Sequence, residues 1–206
     1  MAVVGKLMRH ILFFIITIFT VHVSSCQTLK RQNDETVEGF INRLKPDTTA
    51  LAHPIIETTT WDTSAKAIIA FYGYDDPKDS NMGFNKIFGH LYLPKGQNTY
   101  RDLSFGPIEE DGGYPEIISV SFANADNDKA KELVVLCKYD QQHYDYSGEF
   151  YEPFIFDNPS RQNRLIYFDK LSEKFFGCEC GWRNNKTEVA KYKTAKAGLA
   201  KMGYKQ

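Results

Sequence analysis

The sequence predicts an α+β fold, in which one β-rich domain of mostly antiparallel strands and hairpins carries an N-terminal and a C-terminal helix. The central hairpin is predicted by two strands on either side of a polar loop. In residues 118–122 apolar and polar side chains alternate, which is the period of a half-buried strand. In residues 133–136 the side chains are all apolar, which favours a strand that is covered on both faces. Apolar stripes with helical spacing near the two ends predict the helices.

The predicted helices each combine an apolar face with an end signal. In residues 34–44 apolar side chains recur at i, i+3, i+4 and i+7. In residues 185–203 Asn185 and Glu188 fit a capping box, an apolar stripe follows, and Gly203 fits the position that ends a helix. The sequence therefore predicts one helix before the strands and one after them.

The other predicted strands are apolar, β-prone runs between turn signals. They cover residues 67–74, 87–93, 100–108, 154–156 and 165–168, with a short last strand at 175–178. The aromatic and acidic segment of residues 140–152 is predicted to form a hairpin loop.

The N-terminal residues 1–25 have the organisation of a secretory signal. Lys6 and Arg9 precede an apolar run that ends at Val23, and small residues follow it. The run is too short to span a bilayer, since a spanning helix takes about 20 apolar residues. We therefore expect residues 1–25 to be removed as a signal peptide.

The four residues Val23-Ser24-Ser25-Cys26 resemble the lipobox of bacterial lipoproteins. In that family the signal is cut before the cysteine, and the cysteine carries the lipids. The resemblance implies that Cys26 is lipidated and anchors the protein to a membrane of the bacterial cell envelope, facing the periplasm or at the cell surface. The alternative is ordinary cleavage nearby, which would leave a secreted protein with Cys26 as a thiol or a disulfide partner.

The mature chain has the length and charge of one globular domain. Removal of residues 1–25 leaves 181 residues with 23 basic and 26 acidic side chains, a net charge of −3. This length allows a hydrophobic core. We interpret residues 26–33 as a tether and residues 34–206 as a single α+β domain. We expect no nucleic acid partner, since the charge is close to neutral and no basic stripe is present.

The cysteines of the mature domain are Cys137, Cys178 and Cys180. The last two lie too close in sequence to pair easily with each other. A bridge from Cys137 to one of them is therefore one expectation in an oxidising compartment. The other is that Cys137 is simply a buried strand residue.

The polar loop of the central hairpin carries oxygen ligands at alternate positions. These are the side chains of Asn124, Asp126, Asp128 and Glu132 and the carbonyl of Ala130. Calcium takes six to eight oxygens from carboxylates, amides and carbonyls. Alternate residues of a tight loop can direct such oxygens to one point, so a metal site is one interpretation of the loop.

This spacing, followed at once by an apolar strand, resembles the calcium loop of FG-GAP/VCBS-type β-propeller repeats. The resemblance covers residues 117–137 and implies a calcium ion in the loop; we expect no other cofactor. Two positions depart from the family pattern, because Asn124 replaces an acid and Lys129 replaces a glycine. The alternative is a solvated turn without an ion. A single copy of the motif argues against a whole propeller.

The aromatic side chains of residues 140–152 form a candidate contact surface for a protein or glycan partner. They are Tyr144, Tyr146, Phe150 and Tyr151. The alternative is a hairpin whose aromatic side chains fold back on the sheet.

No motif in the sequence indicates catalysis, since zinc spacings, a nucleophile elbow and a phosphate-binding loop are all missing. We therefore expect a non-enzymatic binding or structural module on a membrane anchor. One alternative is a secreted hydrolase with dispersed catalytic residues. It requires a pocket that holds at least two of His53, His90, His143, Glu109 and Asp111. Another is a lipoprotein that neutralises a toxin or an inhibitor.

Overall fold

The structure is a computed structural model that describes residues 28–61, 65–75, 83–109, 113–126, 128–159 and 165–193. Its strands in chain order are β1 (Thr28–Lys30), β2 (Thr49–Leu51), β3 (Ile56–Thr58), β4 (Ala67–Asp75), β5 (Phe84–Gly96), β6 (Thr99–Ile108), β7 (Glu116–Ala123), β8 (Glu132–Gln142), β9 (Tyr146–Phe156), β10 (Gly177–Trp182) and β11 (Thr187–Glu188). The helices are α1 (Val37–Leu44) and α2 (Asp169–Ser172), and α2 continues into a 3₁₀ turn over Glu173–Phe175.

The strands form two sheets. The first has the order β1-β6-β5-β4-β2, and β3 also pairs with β4; the second has the order β11-β10-β9-β8-β7. Each pairing between strands of the described residues is antiparallel. The prediction of a β-rich fold built from antiparallel strands and hairpins is therefore confirmed.

The two sheets pack face to face and enclose the main hydrophobic core. In β4, successive side chains point to opposite faces of the sheet, and both faces are buried. Phe71 faces the second sheet, where it joins Leu133 and Val135 of β8 and Phe156 of β9. Tyr72 faces the other way, toward α1. A continuous apolar run suits β4 because the strand is covered on both sides.

Helix α1 covers the outer face of the first sheet. The Thr36 side chain caps the helix by accepting a hydrogen bond from the backbone N–H of Gly39 at 3.0 Å. Phe40 and Ile41 are fully buried against this sheet. The predicted N-terminal helix is confirmed, although the cap at Thr36 delays its start from residue 34 to Val37.

The predicted C-terminal helix does not begin at Asn185. That residue lies in a turn with a φ of 63°, a conformation that asparagine tolerates. Glu188, expected in the first turn of the helix, belongs to β11, which pairs with β10. Sheet pairing with β10 therefore outweighs the local helical pattern. The positions beyond residue 193, including Gly203, lie outside the described residues.

Three other segments differ from their predictions. The hairpin loop between β8 and β9 is residues 143–145 and not 140–152, since aromatic side chains have a high strand propensity. The predicted strand 165–168 is reduced to a bridge between Tyr167 and β9. The segment interpreted as a tether contains β1, which pairs with β6. Within the part of the chain that is described, no helix has the length and apolar character needed to cross a membrane.

Candidate functional site

The hairpin of β7 and β8 contributes two carboxylates to a compact group. One carboxylate oxygen from each of Asp126, Glu132 and Asp157 lies within 4.8 Å of the others. Asp126 is in the loop, Glu132 is the first residue of β8, and Asp157 directly follows β9. We call these three residues the acidic cluster. The sequence alone indicates the first two as metal ligands and gives no indication of Asp157.

Strand register brings Asp157 to the loop. Leu133 of β8 pairs with Phe156 of β9 in an antiparallel ladder, so the residue before Leu133 lies beside the residue after Phe156. The backbone N–H of Asp157 also donates to the carbonyl of Ile166 at 2.8 Å, which fixes the chain after β9. No sequence signal marks this arrangement, because Asp-Asn-Pro is the pattern of an ordinary turn.

One oxygen of each carboxylate in the acidic cluster is held by a backbone N–H. Asp126 Oδ1 accepts a hydrogen bond from the backbone N–H of Asp128 at 2.9 Å. Asp157 Oδ1 accepts a hydrogen bond from the backbone N–H of Asn158 at 2.7 Å. Glu132 Oε2 accepts one from the backbone N–H of Ala125 at 2.5 Å. These bonds orient the three carboxylates and leave the second oxygen of each without a protein donor among the described residues.

Glu132 is fully buried, with a relative exposure of 0%. Its Oε1 is buried as well and has no hydrogen-bond partner in the described part of the chain. Burial raises the pKa of the Glu132 carboxyl above its usual value, and the negative charges of Asp126 and Asp128 raise it further. A buried carboxylate without a partner is costly, and a nearby cation would relieve that cost.

Among the described residues, no basic side chain balances the negative charge of the acidic cluster. No lysine or arginine of the described residues forms an ion pair with Asp126, Glu132 or Asp157. Two unit charges about 5 Å apart repel each other by about 3 kcal/mol at an effective dielectric constant of about 20. The group is therefore electrostatically suited to a divalent cation.

Two of the other predicted ligands, Asn124 and Asp128, form hydrogen bonds within the loop. The side-chain amide of Asn124 donates to the carbonyl of Asp128. Asp128 Oδ1 accepts from the N–H of Ala130 at 2.6 Å, and the Asp128 carboxylate lies outside the acidic cluster. The indole N–H of Trp61 donates to the carbonyl of Lys131 at 2.7 Å, which fixes the end of the loop next to Glu132.

The turn of the β8–β9 hairpin carries most of the predicted contact surface. The Tyr146 ring lies 4.5 Å from the ring of His143, 4.8 Å from that of Trp182 and 5.7 Å from that of Phe150, measured between ring centroids. Trp182 was not indicated by the sequence; it comes from β10, where it pairs directly with Tyr146. Aromatic side chains of two neighbouring strands therefore form one group.

Tyr144 and Tyr151 differ sharply in exposure. Tyr144 is 77% exposed and lies below the guanidinium of Arg183, which is 4.9 Å from the ring centroid. Tyr151 is buried, and its hydroxyl donates to Glu149 at 2.6 Å. The structure thus places Tyr144, Tyr146 and Phe150 at or near the hairpin turn and separates Tyr151 from them. We call His143, Tyr144, Tyr146 and Trp182 the aromatic surface.

The cysteines pair differently from the expected bridge. Cys178 and Cys180, whose Cα atoms are 5.3 Å apart, form a disulfide with each other, and Cys137 is a buried free thiol. Strand β9 lies between β8 and β10, which puts Cys137 about 10 Å away across two strand spacings. A disulfide needs Cα atoms less than about 7 Å apart. The structure instead agrees with the interpretation of Cys137 as a buried strand residue. Cys26 lies outside the described residues.

The groups required by the hydrolase hypothesis are not gathered in either of two surface clefts. One cleft of about 580 Å³ lies at the ends of β5, β7 and β8, and one of about 270 Å³ lies between β6 and β9. Neither is lined by His53, His90, His143 or Glu109. Asp111 lies outside the described residues. His90 instead places its Nδ1 3.0 Å from the carboxylate oxygens of Asp102 on the outer face of the first sheet.

Comparison of the chain with protein-family models, with curated protein sequences and with solved structures gives no match. No family is therefore assigned, and a function has to be inferred from the lipobox-like sequence, the acidic cluster and the aromatic surface.

Proposed function

We propose that this chain is a lipid-anchored module of the bacterial cell envelope that acts by binding a protein or glycan partner. The observation that carries the proposal is the position of the lipobox-like sequence directly before the folded domain. Only Gln27 separates Cys26 from β1. A signal that ends so close to the first strand fits an anchor that holds the domain at a membrane surface.

The short connection has a structural consequence. Two residues of extended chain span about 7 Å, so a lipid on Cys26 would hold β1 next to the membrane. Strand β1 lies at the edge of the first sheet and pairs with β6 on its other side. Exposed edges tend to pair with other chains unless they are covered. A position at the membrane surface would shield this edge.

Metabolic labelling of the full-length chain with radioactive palmitate tests the anchor. We expect label on the wild type and on the control Cys137→Ala, which also loses one cysteine, and no label on Cys26→Ala. Globomycin, which blocks the signal peptidase of lipoproteins, should make a longer precursor accumulate. An unlabelled wild type that is released with the soluble periplasmic proteins would contradict the anchor.

The binding role is supported by the aromatic surface. Tyrosine and tryptophan provide a large contact area at a low cost in side-chain entropy, and their rings stack on sugars or on other side chains. Tyr144 is the most exposed large aromatic residue of this group. The cation above its ring adds a positive charge at the edge of the surface.

Photo-crosslinking in intact cells tests where the partner binds. A photoreactive residue at position 144 should give a specific crosslinked product. The same residue at position 118, which is a partly exposed position on β7, is the matched control and should give none. Equal products from both positions, or none above background from position 144, would contradict binding at the aromatic surface.

A further inference from the structure

We propose that the acidic cluster binds a calcium ion, with one carboxylate oxygen from each of Asp126, Glu132 and Asp157 as ligands. The ion would join the loop between β7 and β8 to the segment that follows β9. This ligand set is not the one implied by the calcium-loop resemblance, because Asp157 comes from outside the loop and Asp128 is excluded. The site is independent of the lipid anchor and of the aromatic surface.

The distances fit a single ion. Calcium lies about 2.3–2.6 Å from its oxygen ligands, so two oxygens on the same ion are at most about 5 Å apart. The three carboxylate oxygens of the acidic cluster lie within 4.8 Å of one another. A backbone N–H bond to one oxygen of each carboxylate holds the three side chains in this arrangement before an ion arrives. Little reorganisation is therefore needed for binding.

A second observation distinguishes this group from an ordinary cluster of surface acids. Glu132 is completely buried, and its Oε1 has no hydrogen-bond partner among the described residues. Buried polar atoms are nearly always paired with protein groups, water or an ion. Since the carboxylate of Glu132 belongs to the acidic cluster, a cation bound there would supply the missing partner.

The chemistry of the ligands selects a hard divalent cation. All three ligands are carboxylates, and such oxygens suit calcium and magnesium better than the softer metals. Calcium accepts irregular geometry and takes additional oxygens from water or carbonyls, whereas magnesium demands a near-ideal octahedron and gives up its water reluctantly. We therefore expect calcium to bind more tightly than magnesium.

The test uses calcium and terbium with the full-length protein purified in detergent. Calcium binding is measured by isothermal titration. Terbium luminescence provides a local signal, because the Trp61 indole contacts the carbonyl of Lys131, next to Glu132. The chain has two tryptophans. Trp182→Phe is therefore included in every sample, which leaves Trp61 as the one tryptophan, and excitation at the long-wavelength edge of the indole band avoids the tyrosines.

The variants separate the proposed site from the loop of the family pattern. Asp157→Asn and Asp126→Asn should each weaken calcium binding by at least about tenfold, because affinity depends on ligand charge. Asp128→Asn is the matched control, since it removes the same charge from the same loop, and should weaken binding by less than about threefold. Thermal unfolding in chelator checks that each variant is folded. If Asp157→Asn does not fold, the comparison of Asp126→Asn with the control Asp128→Asn tests the proposed site.

Two results would overturn the proposal. One is the absence of calcium binding and of sensitised terbium luminescence at millimolar metal. The other is the reverse ranking, in which Asp128→Asn abolishes binding and Asp157→Asn leaves it unchanged, which would assign the ion to the loop alone.

Discussion

Gly89→Ala is expected to destabilise the protein, because the missing side chain of Gly89 makes room for a ring from the next strand. A Cβ atom at Gly89 would lie 2.1 Å from Cζ and 2.2 Å from Cε2 of Phe105. Carbon atoms in contact are normally about 3.5–4.0 Å apart. The Phe105 ring would therefore have to withdraw by about 1.5 Å.

The core leaves little space for that movement. The Phe105 ring centroid lies 5.8 Å from that of Phe71 and 4.8 Å from that of Phe156. Overpacking of this kind costs about 1–3 kcal/mol, and the lower chain entropy of alanine in the unfolded state offsets about 0.4–1 kcal/mol. The net loss of about 1–2 kcal/mol would lower the unfolding midpoint by about 2–8 °C for a domain of this size.

Urea unfolding followed by circular dichroism provides the measurement. Gly181→Ala in β10 is the control, since a Cβ there meets no heavy atom within 4 Å and should change the unfolding free energy by less than about 0.5 kcal/mol. Phe105→Leu in the Gly89→Ala background should recover part of the lost stability. Equal stability of the two alanine variants would refute the close contact between Gly89 and the Phe105 ring described above.

Three further substitutions test other parts of the fold by thermal or urea unfolding. The hydrogen bond from Arg43 lowers the pKa of Glu35 to about 2, so this carboxylate stabilises the native state above its ordinary pKa near 4.5. The wild type should be more stable to unfolding than Glu35→Gln at pH 7, and this difference in stability should disappear as the pH falls toward 2. A difference that does not change with pH would argue against the ion pair of Glu35 with Arg43. Phe71→Ala, at a fully buried position, should lower the free energy of unfolding by about 3–5 kcal/mol. Tyr144→Ala should lower the free energy of unfolding by less than about 0.5 kcal/mol, since the Tyr144 ring is exposed. A large loss of stability would show that Tyr144 has a structural role.

The elements that could be predicted from the sequence are those whose pattern is local. The central hairpin and β4 follow from the periods of their apolar side chains, and α1 follows from its apolar face. The C-terminal segment failed because Asn185 and the residues after it satisfy the local rules of a helix start. The hairpin of β10 and β11 pairs Gly181 with Thr187 and Cys180 with Glu188, which are close in the chain, but no alternation of apolar and polar side chains in β11 indicates a strand.

The candidate site shows the same limit. Asp126 and Glu132 could be predicted from their spacing within one loop. Asp157 could not, because its position depends on the register between β8 and β9. The strand before the loop is also less regular than its alternation suggests. A register shift between Ile117 and Ser119 leaves Ile118 at the surface, with an exposure of 36%.

The dependence of unfolding on calcium tests the acidic cluster most directly. In chelator, Glu132→Gln should unfold at a higher temperature than the wild type, because the amide removes a buried negative charge that has too few partners. In calcium the order should reverse. At about 100 times its dissociation constant, an ion bound to the native state adds about 2.7 kcal/mol, which corresponds to about 5–10 °C for the wild type. A wild-type midpoint that is the same in calcium and in chelator would contradict the site.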